Sequence, residues 1–203
     1  MWTCIYKNVH FTRDVVKDLK KIHDLSSKNK WEYAGKLQFV NGRYKGMTSM
    51  TSRHRSEVNG YLLKYIWDSE IVYHTHPGID TDKHLATLPS NADFEVFIKT
   101  YPKVQGNIIC DKHGYYIIDI HEATYKKTLP LPIAVRNVMN DMRCEEFLYT
   151  RVLYNDKIEY FSTDLNEWKN FINSDLSNLL MSNFGIYIHY RGYDEPANVV
   201  IDA

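Results

Sequence analysis

Cysteine is scarce: Cys4, Cys110 and Cys144 are the three in 203 residues, far apart and odd in number. They offer neither a disulfide framework nor a Cys-x-x-Cys metal knuckle, and an intracellular setting, cytoplasmic or nuclear, is the expectation. Long apolar runs are missing as well. No stretch approaches the ~18 uninterrupted apolar residues of a membrane span. Lys7, Arg13, Asp14 and Lys17 interrupt any signal-like hydrophobic region near the start. An excess of one charge is absent too, because 25 lysines and arginines balance 25 aspartates and glutamates. Nucleic-acid binding through bulk electrostatics is thereby excluded, leaving only local basic patches. Neither nucleic acid nor membrane is expected as a partner, and no internal repeat or low-complexity tract interrupts the chain.

What is there is a globular composition, 44% hydrophobic and 25% charged, long enough to bury a core without disulfides or structural metal. Residues 2–11 read as a strand or extended lead-in. Thr12 is placed to cap a helix in which Val15, Val16, Leu19, Ile22 and Leu25 recur at helical spacing. Residues 31–40 read as a strand closed by the turn dipeptide Asn41-Gly42, with 43–50 as its hairpin partner. A polar loop covers 51–57, residues 61–67 are ambiguous between helix and strand, and 70–76 form a strand stopped by Pro77-Gly78. A helix is expected from Ser90 to Tyr101, then two strands, 104–110 and 115–120, around Asp111-Lys-His113-Gly114, which reads as a hairpin turn. Leu129-Pro-Leu-Pro132 reads as a stiff connector. Beyond it are expected a helix over 133–150, a strand over 151–161, a helix over 163–181, a strand over 185–190 and a loose tail. In the last helix Leu165, Trp168, Ile172, Leu176 and Leu179 form one apolar stripe, suited to docking on the core or receiving a partner. The layout is an α/β core over 1–125 with an α/β extension over 126–203.

Histidine carries the chemistry. On a strand, His74 and His76 face the same side with Cα atoms ~6.6 Å apart, a spacing from which two imidazoles can converge on one zinc. A catalytic zinc takes a third protein ligand and leaves a position for water. Asp93 is a candidate for that ligand. It follows Ser90 by three at a helix start, where Ser-x-x-acid is also a capping box, and the two roles are compatible. Glu70 shares the parity of the histidines but lies ~13 Å along the strand, too far for a base that must come within ~3 Å of the water it activates. Arg53-His54-Arg55 reads as a solvated loop, and the sixteen tyrosines as core and edge packing.

Glu32 with Gly35 and Leu37, then His74-Thr-His76-Pro77, then Ser90-x-x-Asp93, in the order strand, helix, glutamate strand, His-x-His strand, helix, hairpin, resembles the JAMM (MPN-plus) zinc metalloprotease family. The resemblance covers residues 3–122. It implies a three-layer JAMM/MPN-like, cytidine-deaminase-like mixed sheet with flanking helices. It also implies a zinc held by His74, His76 and Asp93, Glu32 as general base, and Ser90 as hydrogen-bond donor to the oxyanion. The implied substrate is the (iso)peptide bond that follows ubiquitin or a ubiquitin-like protein. Two other readings share the scaffold: a zinc hydrolase acting on a sulfur-carrier or structural protein, and a non-catalytic MPN-type binding module. One departure stands out. Thirteen residues separate His76 from Ser90, where the family usually has seven. The longer loop, with Asp80, Asp82 and His84, is either a substrate-contacting lid or a surface insertion. It is not expected to ligate metal, since fixing each loop residue costs ~1–2 kcal/mol of backbone entropy that a helix start has already lost.

Overall fold

The computed structural model describes residues 6–54, 58, 63–77, 86–120, 148–153 and 157–202. Two short strands, β4 (Ile71–Thr75) and β6 (Gly106–Cys110), are buried along nearly their whole length, as strands covered on both faces must be. They pair in parallel, Ile71 beside Gly106 through Thr75 beside Cys110. Around them β2 (Ala34–Val40), β3 (Arg43–Met47), β7 (Gly114–Ile120) and β10 (Ile186–Gly192) complete a mixed six-stranded sheet in the order β10-β7-β6-β4-β2-β3.

Strand alternation sends apolar side chains to both faces, and each face has its own cover. Ile71, Tyr73, Ile108, Ile117 and Leu37 pack under α1 (Arg13–Asn29) and a two-stranded ribbon of β1 (Tyr6–Phe11) with β11 (Ala197–Asp202). Val72, Ile109, Tyr116, Ile118 and Ile188 pack under α2 (Asn91–Thr100) and a C-terminal helix. That helix runs through α3 (Leu165–Asn170), a π-helical stretch (Phe171–Leu176) and α4 (Ser177–Phe184). The fold is thus α/β, a mixed sheet flanked by helices. A second, three-stranded sheet joins β5 (Ala86–Thr87), β8 (Leu148–Leu153) and β9 (Lys157–Ser162).

Several elements follow the sequence pattern. Asn41 and Gly42 take positive φ, 51° and 72°, as the tight turn of a two-residue hairpin demands. Ser90 caps α2, and Asp164 caps α3 by accepting from the Asn166 and Glu167 N–H groups, both at 3.0 Å. Gly185 at φ 70° ends α4, the left-handed stop typical of glycine.

Other expectations are corrected. Thr12 occupies the cap position of α1, but its side chain makes no capping bond. Leu25 is 41% exposed, and His23 and Ser26 lie on the buried face instead, because the step from Ile22 that stays on the stripe is i+4 rather than i+3. Leu148–Thr150, expected to end a helix, open β8 against β9, and residues 133–147 of that expected helix lie outside the described residues. The apolar stripe of the C-terminal helix passes through Trp168, Ile172 and Leu176 and then shifts to Leu180, fully buried, rather than Leu179. The wider π turn sets the phase back by about one residue. The loose tail is β11, in register with β1 from Tyr6–Asp202 to Phe11–Ala197. Its buried Val199 packs in the same cluster as Val9 and Phe11, a pairing across the length of the chain that no local pattern announces.

At Gly35, β2 approaches its neighbours too closely for a side chain. A Cβ there would overlap the Thr48 carbonyl oxygen and lie 2.7 Å from Tyr73 Cε1. Gly35→Ala should therefore destabilise by about 1–3 kcal/mol, as overpacking does, a fall of several degrees in thermal midpoint. Calorimetry at neutral pH checks this, and an unchanged midpoint would refute the close approach.

Candidate metal centre

The site begins with the way β4 ends. Thr75 is fully buried; its hydroxyl donates to Ser26 Oγ at 2.7 Å and accepts the Tyr33 N–H at 3.0 Å. The next residue, His76, donates its N–H to the Cys110 carbonyl at 2.8 Å. The chain therefore stays extended one residue past the strand, and the alternation persists. His74 and His76 share the face of Val72, which is the face covered by α2.

α2 starts at that same end. The Ser90 hydroxyl accepts the Asp93 N–H at 3.3 Å and the Asp93 carboxylate accepts the Ser90 N–H at 2.7 Å, a reciprocal capping box. The box fixes the Asp93 side chain in the first turn, aimed at the histidines. Asp93 Oδ1 lies 3.0 Å from His74 Nε2 and Oδ2 3.5 Å from His76 Nε2, and the two Nε2 atoms are 3.2 Å apart. Donors at zinc-like distances of ~2.0–2.1 Å around a tetrahedral centre stand ~3.3–3.4 Å from one another. The two Nε2 atoms, 3.2 Å apart, are close to that value, and each lies 3.0–3.5 Å from one of the two Asp93 oxygens. Two imidazole nitrogens and a carboxylate oxygen are also a donor set that suits a divalent metal ion, and the three residues form a group that can hold one. Their side chains are 17, 20 and 15% exposed for His74, His76 and Asp93, so the group is sheltered but reachable.

The charges are mutually dependent. Burial would raise the Asp93 carboxyl, but charge and hydrogen bonds from His74 and His76 hold it well below the usual carboxylate range. Burial would lower His76, but the Asp93 hydrogen bond and charge, with smaller contributions from Glu32 and Asp111, raise it to about 9. Without a metal, the site is held together by an imidazolium and a carboxylate.

Glu32 arrives from the neighbouring strand. Ala34 is in register with His74, and the Tyr33 carbonyl accepts the Thr75 N–H at 2.9 Å. Two residues before Ala34, Glu32 stands on the same face, across from His76, with its own N–H donated to the His54 carbonyl at 2.9 Å. It is half-buried. Ser90 is exposed at the rim. Glu70 sits at the opposite end of β4, its carbonyl accepting the Gln105 and Gly106 N–H groups at 2.8 and 3.0 Å. Asp80, Asp82 and His84 lie outside the described residues.

Comparison with models of protein families, with curated proteins and with solved structures finds no match. The site is therefore read from its own geometry. That geometry also brings in two residues beyond the sequence pattern. Buried His23 on α1 lies behind the strand, its Nε2 donating to the His76 carbonyl at 3.2 Å, and burial lowers it to about 4, so it is neutral at pH 7. A single histidine on an amphipathic helix gives no signal of such a role. Asp111 makes the expected hairpin turn, its Oδ1 accepting the His113 and Gly114 N–H groups at 2.9 Å each. Burial pushes its carboxyl up to about 6.

Because His76 carries a proton up to about pH 9 in the metal-free protein, a metal ion must displace that proton to bind. Apparent zinc affinity should rise by about tenfold per pH unit between about pH 6.5 and 8, with roughly one proton released near neutrality. Calorimetric titration in buffers of different ionisation enthalpy measures the release. No released proton would mean that His76 is not a ligand of the added ion.

Proposed function

We propose that this chain is a zinc-dependent peptidase of JAMM type that removes ubiquitin or a ubiquitin-like protein from its conjugates. The observation that carries the reading is the convergence of His74, His76 and Asp93 to metal-ligand spacing, with Glu32 on the same sheet face. The succession β1, α1, β2, β4, α2, β6–β7 also follows the order of elements on which the family resemblance rests.

Zinc held by His74, His76 and Asp93 would supply Lewis acidity and a water acidified to near neutral pH. The protein's own residues do the rest. The Glu32 carboxylate takes the proton of the attacking water and returns it to the leaving amine. The Ser90 hydroxyl, with its oxygen already accepting the Asp93 N–H, has its proton free to donate to the developing oxyanion. The three scattered cysteines are the ground for a reducing compartment, cytoplasm or nucleus. Among the described residues no helix is long and apolar enough to cross a membrane.

The test is cleavage of a fluorogenic ubiquitin conjugate by the full chain, with and without chelator. His74→Ala and His76→Ala should lose stoichiometric zinc. Glu32→Gln should keep zinc and fold while losing turnover by ~10²–10⁴-fold, the usual worth of a general base. Chelator-insensitive cleavage, or a Glu32→Gln variant with full activity, would overturn the mechanism. Stoichiometric zinc with no cleavage of any ubiquitin-like conjugate would favour another protein substrate or a binding role.

A further inference from the structure

Asp111 does more than its turn requires. It follows β6 as His76 follows β4, and those two strands are parallel, with Thr75 beside Cys110 and the His76 N–H on the Cys110 carbonyl. His76 and Asp111 are therefore strand neighbours. The side chain of Asp111 is on the histidine face as well, because its Oδ1 accepts the Tyr190 hydroxyl at 2.8 Å, and Tyr190 packs in the cluster of Val72, Ile109 and Phe94. Across three adjacent chain segments the order is Glu32, His76, Asp111.

The two carboxylate oxygens of Asp111 have different lives. Oδ1 accepts three hydrogen bonds, from the His113 N–H, the Gly114 N–H and the Tyr190 hydroxyl. Oδ2 is buried and accepts none from the protein. The hairpin turn uses Oδ1 alone, and asparagine would serve it equally without a charge to desolvate. A carboxylate kept 4% exposed with one idle oxygen is costly unless something nearby employs it. A donor placed beside it across the β4–β6 ladder is His76, whose ring is not bonded to Oδ2 in the metal-free protein. Its Nε2 points to Asp93 and His74, and a metal-ligating histidine commonly gives its other ring N–H to a carboxylate, which fixes the tautomer and makes the ring a better ligand.

We propose that Asp111 is a positioning residue of the metal centre, its Oδ2 being the buried acceptor to which the His76 ring N–H turns, forming a bond absent from the metal-free protein, when Nε2 ligates the metal. This rests on the reading of His74, His76 and Asp93 as metal ligands. Tyr190 and the turn would then serve to hold Asp111 itself, tying the last strand of the sheet to the site.

The test uses the full chain and zinc alone. Asp111→Asn keeps the Oδ1 acceptor for the turn and for Tyr190, so its thermal midpoint should stay close to wild type. Its zinc dissociation constant, measured by chelator competition, should weaken by about 10–100-fold. A second measurement is independent of that variant's folding: in zinc-loaded wild type, nitrogen-15 NMR should show the His76 ring N–H downfield and slow to exchange. An unchanged zinc affinity in a folded Asp111→Asn, or a His76 ring proton in free exchange with water, overturns the assignment while leaving the metal reading intact. Failure of wild type to bind zinc stoichiometrically overturns both.

Discussion

The end of β4 is held from both sides, and the site follows from that. On one side Ala34 of β2 is in register with His74; on the other Thr75 pairs with Cys110 of β6, and the His76 N–H continues the ladder. Below, Thr75 is locked to Ser26 and to the backbone of Tyr33. A strand so constrained has no freedom to roll. Its alternation is transmitted past its last regular residue, and two histidines are delivered to one face.

Asp93 meets that face because a helix start and a metal-ligand position ask for the same thing. Free N–H groups and the positive end of the helix dipole favour a carboxylate in the first turn. The capping box then fixes the carboxylate's direction, which a surface loop could do only at an entropic cost. The cap contributes about 1 kcal/mol to the helix, while the histidines compensate the charge that burial would otherwise suppress. Fold stability and ligand geometry reinforce one another here.

On both faces of the sheet near the site, tyrosines make buried polar contacts. Trp168 Nε1 donates to the Tyr116 hydroxyl at 2.7 Å, Tyr115 to the Glu195 carbonyl at 2.8 Å, Tyr193 to the Asp111 carbonyl at 2.8 Å, and Tyr190 to Asp111 Oδ1. Each ring fills core volume while its hydroxyl pairs with a polar group, as donor for Tyr115, Tyr190 and Tyr193 and as acceptor for Tyr116, which an apolar side chain could not do. The C-terminal residues, from Trp168 to Glu195, thus brace the sheet next to the histidines.

Local chemistry determined a good deal. The helical spacing of α1, the Asn41-Gly42 turn, the capping box at Ser90 and the same-face geometry of His74 and His76 were all legible, because each depends on residues within a turn or a strand of one another. The nomination of Glu32 depended on a family pattern, whereas Asp93 was a candidate from its place at a helix start three residues after Ser90. Their approach to the histidines is a tertiary fact, set by the β2–β4 register and by where α2 begins. The pairing of β11 with β1, the shift from Leu179 to Leu180, the place of His23 behind the strand and the station of Asp111 beside His76 were decided by the tertiary structure alone. The physical reason is common to them. Strand partners, buried polar contacts and side-chain electrostatics depend on which distant segments share a face, and neither periodicity nor spacing along one chain encodes that.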